Sequence, residues 1–328
     1  MAIVIGKGTS LQIGQESTWG VKATPTMAAN YLSESFSFNP ERVEEDTLLG
    51  GKTSRAQDIM KMSVDSSSFD VIAKPGNIGL LIGLAMGQEA DVETTEDGAY
   101  KHVFTPISAG NGYSLPSFTA IVDRIIAAKA YTGLKVESIS FSCEAGDYMR
   151  ITVTCSGKDE EEGTKVETLE VPTLKAFRFA GGSCSFDGVE FGDVKSVTVE
   201  YNNNLDDGEQ TLGSGYYGTE KQPQTRDITV SLDSYYEATT ETIREEKFKK
   251  EATASLSLKF ISPETIGDTE VNYSMQFDLP LLCVNECSPN VSDAGKIPLT
   301  IGGKALESAT QEALTVTLID NTADKYLA

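Results

Sequence analysis

Histidine occurs once in the 328 residues, as His102. Ser–His and Cys–His nucleophile systems need an imidazole oriented by a third group. His102 follows Lys101 in the strand-like run YKHVFTPIS, where it reads as a surface strand residue. Cysteine is sparse and unpaired: Cys143, Cys155, Cys184, Cys283 and Cys287 form an odd set with no CxxC and no neighbouring histidine. A zinc site needs about four closely placed soft ligands, so no metal site is expected. Cys143, Cys155 and Cys283 sit in alternating apolar runs, where a reduced cysteine acts as a small core residue, and a cytosolic origin is expected. No GxxxxGK[ST] is present. Gly6, Gly8, Gly76, Gly79 and Gly83 lack the strand–loop–helix context that lets backbone amides cradle phosphate. Neither catalytic nor cofactor-binding residues are expected, and the chain does not read as an enzyme.

Long apolar runs are missing too. IGLLIGLAMG at 78–87 is about half of what spans a bilayer and is interrupted by glycines. The start, MAIVIGKGTS, reaches Gly6 and Lys7 before any signal-peptide core can form. A soluble protein without a membrane partner or secretion signal is expected. Positive charge is also short, with 27 Lys and Arg against 49 Asp and Glu and a net charge of −22. That potential repels phosphates and disfavours sequence-specific nucleic acid binding. An acidic surface keeps a protein soluble, and it equally suits a wall past which DNA slides. Carboxylate pairs are abundant, but a glycosidase needs two in an aromatic cleft. Turn and sheet packing explain Tyr216-Tyr217 and Tyr235-Tyr236 as well as sugar stacking does.

Helical periodicity is confined to two stretches. KPGNIGLLIGLAMGQ places Ile78, Leu81, Ile82 and Ala85 on one face behind Pro75 and Asn77, which predicts an amphipathic helix on a sheet. ATTETIREEKFKKEA predicts a charged helix starting near Thr239 or Thr240.

What the chain does have is strand alternation, and a duplication. VKSVTVEY puts Val197, Val199 and Tyr201 on one face, a long polar segment follows, and ITVSLD aligns Ile228, Val230 and Leu232. Phe36 and Phe38, the segment NPERVEEDTLLGGKTSRAQ, and Met60, Met62 and Val64 follow the same plan. Asn39 aligns with Asn202 and Leu49-Gly50 with Leu212-Gly213, both 163 residues apart, while Asp65 aligns with Asp233 at 168. On that alignment the second loop is five residues longer. In the first half, KVESISFSC and ITVTCSG form a hairpin around Glu144–Asp147. MQFDLPLL and LTVTLID are their expected counterparts, and Asp187-Gly188 marks a tight turn. The acidic run KDEEEGTKVE reads as a solvated boundary. The expected fold is mainly β: two tandem β-sandwich or barrel domains, at 31–165 and 166–328, each flanked by a short α-helix. Residues 1–30 are expected to form an N-terminal arm on a neighbouring surface, with Trp19 either its anchor or a cap on its own domain's core.

Four segments, GKGTSLQIGQESTWGVKATPT, SESFSFNPERVEED, GGKTSRAQDIMKMSVDSSSFDV and AKPGNIGLLIGLAMG, resemble in order and spacing the major tail tube proteins of tailed bacteriophages. Gly14, Glu16 and Gly20 match a G-x-E-x-x-x-G start. The resemblance implies a structural virion protein of the tail, assembled in the host cytoplasm, whose rings stack into a hollow tube for DNA ejection. Its partners are then further copies of itself, and the tape-measure, tail terminator and baseplate or tip proteins; DNA passes without specific binding. Two domains per chain favour a pseudo-six-fold trimeric ring over a hexamer. Apolar Phe36, Phe38, Met60, Met62, Val197, Val199, Ile228 and Val230 would face the core. Ser35, Ser37, Lys61, Ser63, Thr198, Glu200, Thr229 and Ser231 would then face the lumen. Long loops in compact domains are usually functional or disordered. The ring-to-ring candidates are Glu41, Glu44, Glu45, Asp46, Leu48 and Leu49 in one loop, and Asp206, Asp207 and Leu212 in the other. The tube of a contractile injection machine or tail-like bacteriocin, and an acidic β-rich surface adhesin module, are the alternatives.

Overall fold

The computed structural model describes residues 5–45, 53, 56–76, 78–96, 98–108, 112–291 and 294–327. The first half carries β1 (Ser10–Gln15), β2 (Met27–Ala28), β3 (Tyr31–Glu34), β4 (Phe38–Glu44) and β5 (Gln57–Ile72), then helix α1 (Ile78–Met86). It continues with β6 (Gly87–Glu89), β7 (Glu93–Glu96), β8 (Ala99–Pro106), β9 (Phe118–Asp123), β10 (Ala128–Glu144), β11 (Arg150–Gly157) and β12 (Asp159–Glu162). The second half carries β13 (Gly182–Phe186), β14 (Val189–Glu190), β15 (Ser196–Asn202), β16 (Asp227–Tyr235) and helix α2 (Ala238–Ile243). After it come β17 (Ala254–Thr265), β18 (Asn272–Cys287), β19 (Pro298–Ala305) and β20 (Thr315–Asp320). The chain is mainly β, its paired strands run antiparallel, and the ladder does not close on itself among the described residues.

Two long strands build the corners. The start of β10 pairs with β9 and β12, whereas Lys135–Ser142 pairs with β11 and the segment to Glu144 with β15. The change of sheet falls where Gly133 takes a left-handed φ of +67° and the registers slip, because a bulge bends and twists a strand. Likewise β18 pairs with β17 and β20 over its first part and with β19 from Leu282 to Cys287. Each half is therefore a two-sheet sandwich. One sheet runs unbroken through both halves, in the order β3–β5–β11–β10–β15–β16–β19–β18.

Alternation explains why this sheet has one greasy side. Val197, Val199, Tyr201, Ile228, Val230 and Leu232 are buried, as are Ile139, Phe141, Ile151 and Val153 on the neighbouring strands. Burying a Val, Leu, Ile or Phe side chain is worth about 1.5–3 kcal/mol, so a one-residue slip that exposed this row would be prohibitive. The ring of Phe141 meets that of Phe277 edge-on at 4.8 Å, joining the shared sheet to the second outer sheet. The first half also donates a strand: β8 pairs with β20, setting Phe104 against Val316 and His102 against Leu318.

Several expectations need correcting. Residues 10–15, expected in an arm, form a strand of the first half's own outer sheet, paired with β9, with Leu11 and Ile13 buried. The helix α1 is buried on all sides, not amphipathic, because the C-terminal residues cover its remaining face. The acidic run is strand β12 on β10, held by Lys129 to Glu160 at 3.3 Å and Lys22 to Glu161 at 3.4 Å. The counterpart of ITVTCSG is β19, PLTIGGKA, whose Gly302-Gly303 hides the alternation, and not LTVTLID. Met60 is 46% exposed and Met62 half-buried, since this part of β5 extends beyond the shared sheet to pair with β4.

Candidate functional site

The polar side of the shared sheet carries a hydrogen-bonded unit twice. Ser33 Oγ donates to Asp70 Oδ2 at 2.6 Å and Thr152 Oγ1 to Asp70 Oδ1 at 2.7 Å. In the other half, Ser196 Oγ donates to Asp233 Oδ2 at 2.6 Å and Thr300 Oγ1 to Asp233 Oδ1 at 2.7 Å. Each carboxylate thus ties three neighbouring strands. An offset of 163 residues relates Ser33 to Ser196 and Asp70 to Asp233, and one of 148 relates Thr152 to Thr300. Asp70 and not Asp65 therefore stands where Asp233 does, and the connecting loops are equal in length. A bulge at Ser66, with φ +48°, and the extension of β5 had disguised the match. The Ser196 hydroxyl holds the Asp233 carboxyl below the usual range; burial opposes this and Thr300 adds to it.

Between the two units the polar face is a field of hydroxyls. Thr198 lies between Ser142 and Ser231, and Glu200 between Ser140 and Thr229. Lys304, opposite Thr229, is neutralised by Asp227. Ser35 joins the same face through its hydroxyl contact with Ser68 at 3.0 Å. Ser37 is exposed at the link between β3 and β4. Lys61 and Ser63 lie on the outlying part of β5: Ser63 is buried against Asp65, and Lys61 lies close to Trp19.

The second long loop lies along the outlying part of β5. Gln210 Nε2 donates to the Met60 carbonyl at 2.9 Å, and the Met62 amide to the Tyr216 carbonyl at 2.8 Å. Asp206 Oδ1 accepts the amides of Gly208 and Gln222 at 3.2 and 3.0 Å, fixing the loop, while Asp207 is exposed. Leu212 stands fully exposed at a turn closed by Ser214 N–H to the Thr211 carbonyl at 3.0 Å. Glu41, Glu44 and Glu45 are exposed along β4 and just past it; Asp46, Leu48 and Leu49 lie outside the described residues. Sequence reasoning missed what latches the second loop to the first half. Asn203 Nδ2 donates to the Ala85 and Val136 carbonyls at 2.9 and 3.1 Å, and buried Lys135 meets Glu220 at 2.8 Å.

Trp19 packs within its own half, donating to the Gly133 carbonyl at 3.0 Å beneath Lys158. Beside it, buried Glu16 accepts four donors at 2.8 Å: the amides of Gly20 and Gly133 and the hydroxyls of Ser117 and Thr119. This gives the G-x-E-x-x-x-G start a physical meaning. Gly20 has φ +72°, and a Cβ on Gly14 would lie 2.4 Å from the Thr24 carbonyl.

His102 is not a surface residue. It is fully buried, with Nδ1 2.8 Å from Glu89 Oε1 and Nε2 2.9 Å from the Thr322 carbonyl and 3.3 Å from Asp320 Oδ1. Burial disfavours the imidazolium, but Asp320 and Glu89 outweigh it and raise the pKa to about 9. Sealed in the core, these groups clasp the C-terminal residues to β8. Among the described residues no cluster of His, Cys, Asp and Glu suited to a metal ion occurs.

No curated protein matches the chain significantly. A family model does, over residues 6–312, and its description is phage tail tube protein.

Proposed function

Because the chain belongs to the phage tail tube protein family, and is thus a structural component of the virion tail, we propose that it forms rings that stack into the hollow tail tube through which DNA is ejected. The observation that carries this reading is the single sheet spanning both halves, buried on one side and lined with hydroxyls and carboxylates on the other. A wall poor in free cations gives DNA phosphates nothing to stick to. Ser35, Thr198, Glu200, Thr229 and Ser231, with the Asp70 and Asp233 units, are its lumen residues.

The duplicated units make the two halves equivalent along the wall. Three chains then supply six equivalent sectors, and the ring is a pseudo-six-fold trimer. The paired loops, with Leu212 at a tip, reach the adjacent ring. Tape-measure, terminator and tip proteins cap and gauge the tube, which assembles in the host cytoplasm. Electron microscopy of the purified protein under assembly conditions tests the reading. Hollow tubes or rings are expected. Monomers alone would sink the conduit, and end-on views with six separate chains per ring would replace the trimer.

A further inference from the structure

The seam between the two halves also specifies the seam between two chains. Inside the chain, β10 carries β15 along one edge, with Ser138 opposite Asn202, Ile139 opposite Tyr201 and Phe141 opposite Val199. The equivalent edge of β18 is bare. Cys283–Cys287 pairs with β19 on one side and with no strand on the other among the described residues. The equivalence is firm, because Ile139 pairs with Val153 as Cys287 does with Ile301, and both ladders slip one residue earlier. The counterpart of β15 is the segment from Ser33 to Asn39, whose outer edge is likewise without a strand.

Resting on the ring reading above, we propose that the Asn285–Pro289 edge of one copy receives Phe36–Asn39 of the next copy as an antiparallel strand. The offsets of 148 and 163 leave no freedom of register: Glu286 faces Asn39, Cys287 faces Phe38, and Pro289 faces Phe36. Two further observations fit a second copy. Val291, next along this edge, is 74% exposed, whereas Cys143, at the equivalent place beside β15, is buried.

The second observation concerns the proline. The intrachain ladder is flanked by Asn203 N–H to the Glu137 carbonyl and Ala145 N–H to the Lys195 carbonyl. By the alternation of antiparallel bonds, Phe141 N–H serves the Val199 carbonyl. Pro289, at the place of Phe141, has no N–H to offer. The carbonyl it would leave orphaned is that of Phe36, and this one already accepts Arg124 Nη2 at 3.1 Å. The Phe36 amide, held by Glu34 Oε2 at 3.0 Å in the single chain, is released to the Pro289 carbonyl. Pro40, at the place of Asn203, ends the seam. Prolines at both edges oppose pairing in other registers.

The test is disulfide trapping in a Cys283→Ser background. Facing residues of a non-hydrogen-bonded antiparallel pair have Cα atoms about 4.5 Å apart, within disulfide range. Chains carrying Asn39→Cys and Glu286→Cys, assembled and oxidised, should give a reducible ladder that stops at the number of chains per ring. Ser138→Cys with Asn202→Cys is the intrachain control, since the structure pairs these two residues directly. Assembled tubes that stay unlinked while the control pair oxidises overturn the seam and leave the tube reading intact. Stronger linking by Glu286→Cys with Ser37→Cys overturns the register. Should the substituted chains not assemble, amide hydrogen exchange on unsubstituted tubes decides. New protection of Phe36, Phe38 and Cys287 is expected, and its absence refutes the seam. An unsubstituted chain that never assembles defeats the ring reading and the seam together.

Discussion

The imidazole of His102, on a strand donated by the first half, lies 2.8 Å from the Glu89 carboxylate, which also accepts the amides of Tyr326 and Leu327 at 2.9 Å. The end of the chain is thereby tied back to its first third. Because the folded-state pKa of His102 is raised from 6.5 to about 9, its contribution is complete below pH 6.5 and lost as pH climbs through 9. At about 1.4 kcal/mol per pH unit the loss is at most about 3 kcal/mol. Urea midpoints should fall between pH 6.5 and 9 in the parent and stay flat in His102→Asn, which itself costs about 3–5 kcal/mol by taking the counter-charge from two buried carboxylates. A parent midpoint that is flat over this range counts against the clasp.

The same clasp explains two glycines of α1. A Cβ on Gly79 would lie 2.2 Å from the Tyr326 ring, and one on Gly83 2.9 Å from Leu327. Tyr326 cannot swing aside freely, since its hydroxyl donates to Asp320 at 2.5 Å. Gly79→Ala should therefore destabilise by about 1–3 kcal/mol, although alanine favours a helix by about 1 kcal/mol. Limited proteolysis should show the C-terminal residues cut sooner, and Tyr326→Ala should restore the helix gain in the double variant.

Glu16 carries four donors on one buried carboxylate. Glu16→Gln replaces one acceptor oxygen by an amide that can only repel the N–H and O–H groups facing it. A loss of about 2–4 kcal/mol is expected, read as a fall in the denaturant midpoint with little change in slope. An unchanged midpoint would show that these donors are satisfied by other means.

How much of this was legible beforehand varies with the physics of each element. The strands β15 and β16 could be read because one face is buried and the other is not, so Val197, Val199, Ile228 and Val230 alternate cleanly with Thr198, Glu200, Thr229 and Ser231. Where a strand runs past the sheet, as β5 does at Met60, alternation persists without meaning. Where glycines pack against a bulge, as in β19, it vanishes. His102 was misread because its neighbour Lys101 is exposed to Glu93, while the strand β20 and the C-terminal residues that bury the histidine lie more than two hundred residues away. The Ser–Asp–Thr units left a trace, since SES at 33–35 and SVT at 196–198 precede an aspartate at equal distance. The bulge at Ser66 leaves that aspartate in step and shifts the residues before it, Val64 and Ser63, by one position in the ladder.

Equal units should respond equally. Asp70→Asn and Asp233→Asn each leave an amide between two hydroxyls, and each is expected to cost about 1–2 kcal/mol. The two sites share no partner, so the double variant should be additive within about 0.5 kcal/mol. Asp233, with its depressed pKa, contributes stability that is present above the usual carboxylate range and lost as pH falls through it. Asp233→Asn should therefore soften acid unfolding below pH ~4. A large effect at one site and none at the other would argue against equivalent sectors.

Leu212 tests the loops. It is fully exposed on its turn, so Leu212→Glu should leave folding within about 0.5 kcal/mol of the parent. An exposed leucine that serves only its own chain could be charged without consequence. One that docks on the next ring would instead bring a carboxylate, already among acidic neighbours such as Asp207 and Glu209, into an apolar contact at a cost of several kcal/mol. Stacking multiplies that cost at every ring boundary, so long tubes should give way to single rings or short stacks, counted by electron microscopy at matched protein concentration. Tubes of normal length from Leu212→Glu would remove this loop from the ring-to-ring contact and leave the shared wall untouched.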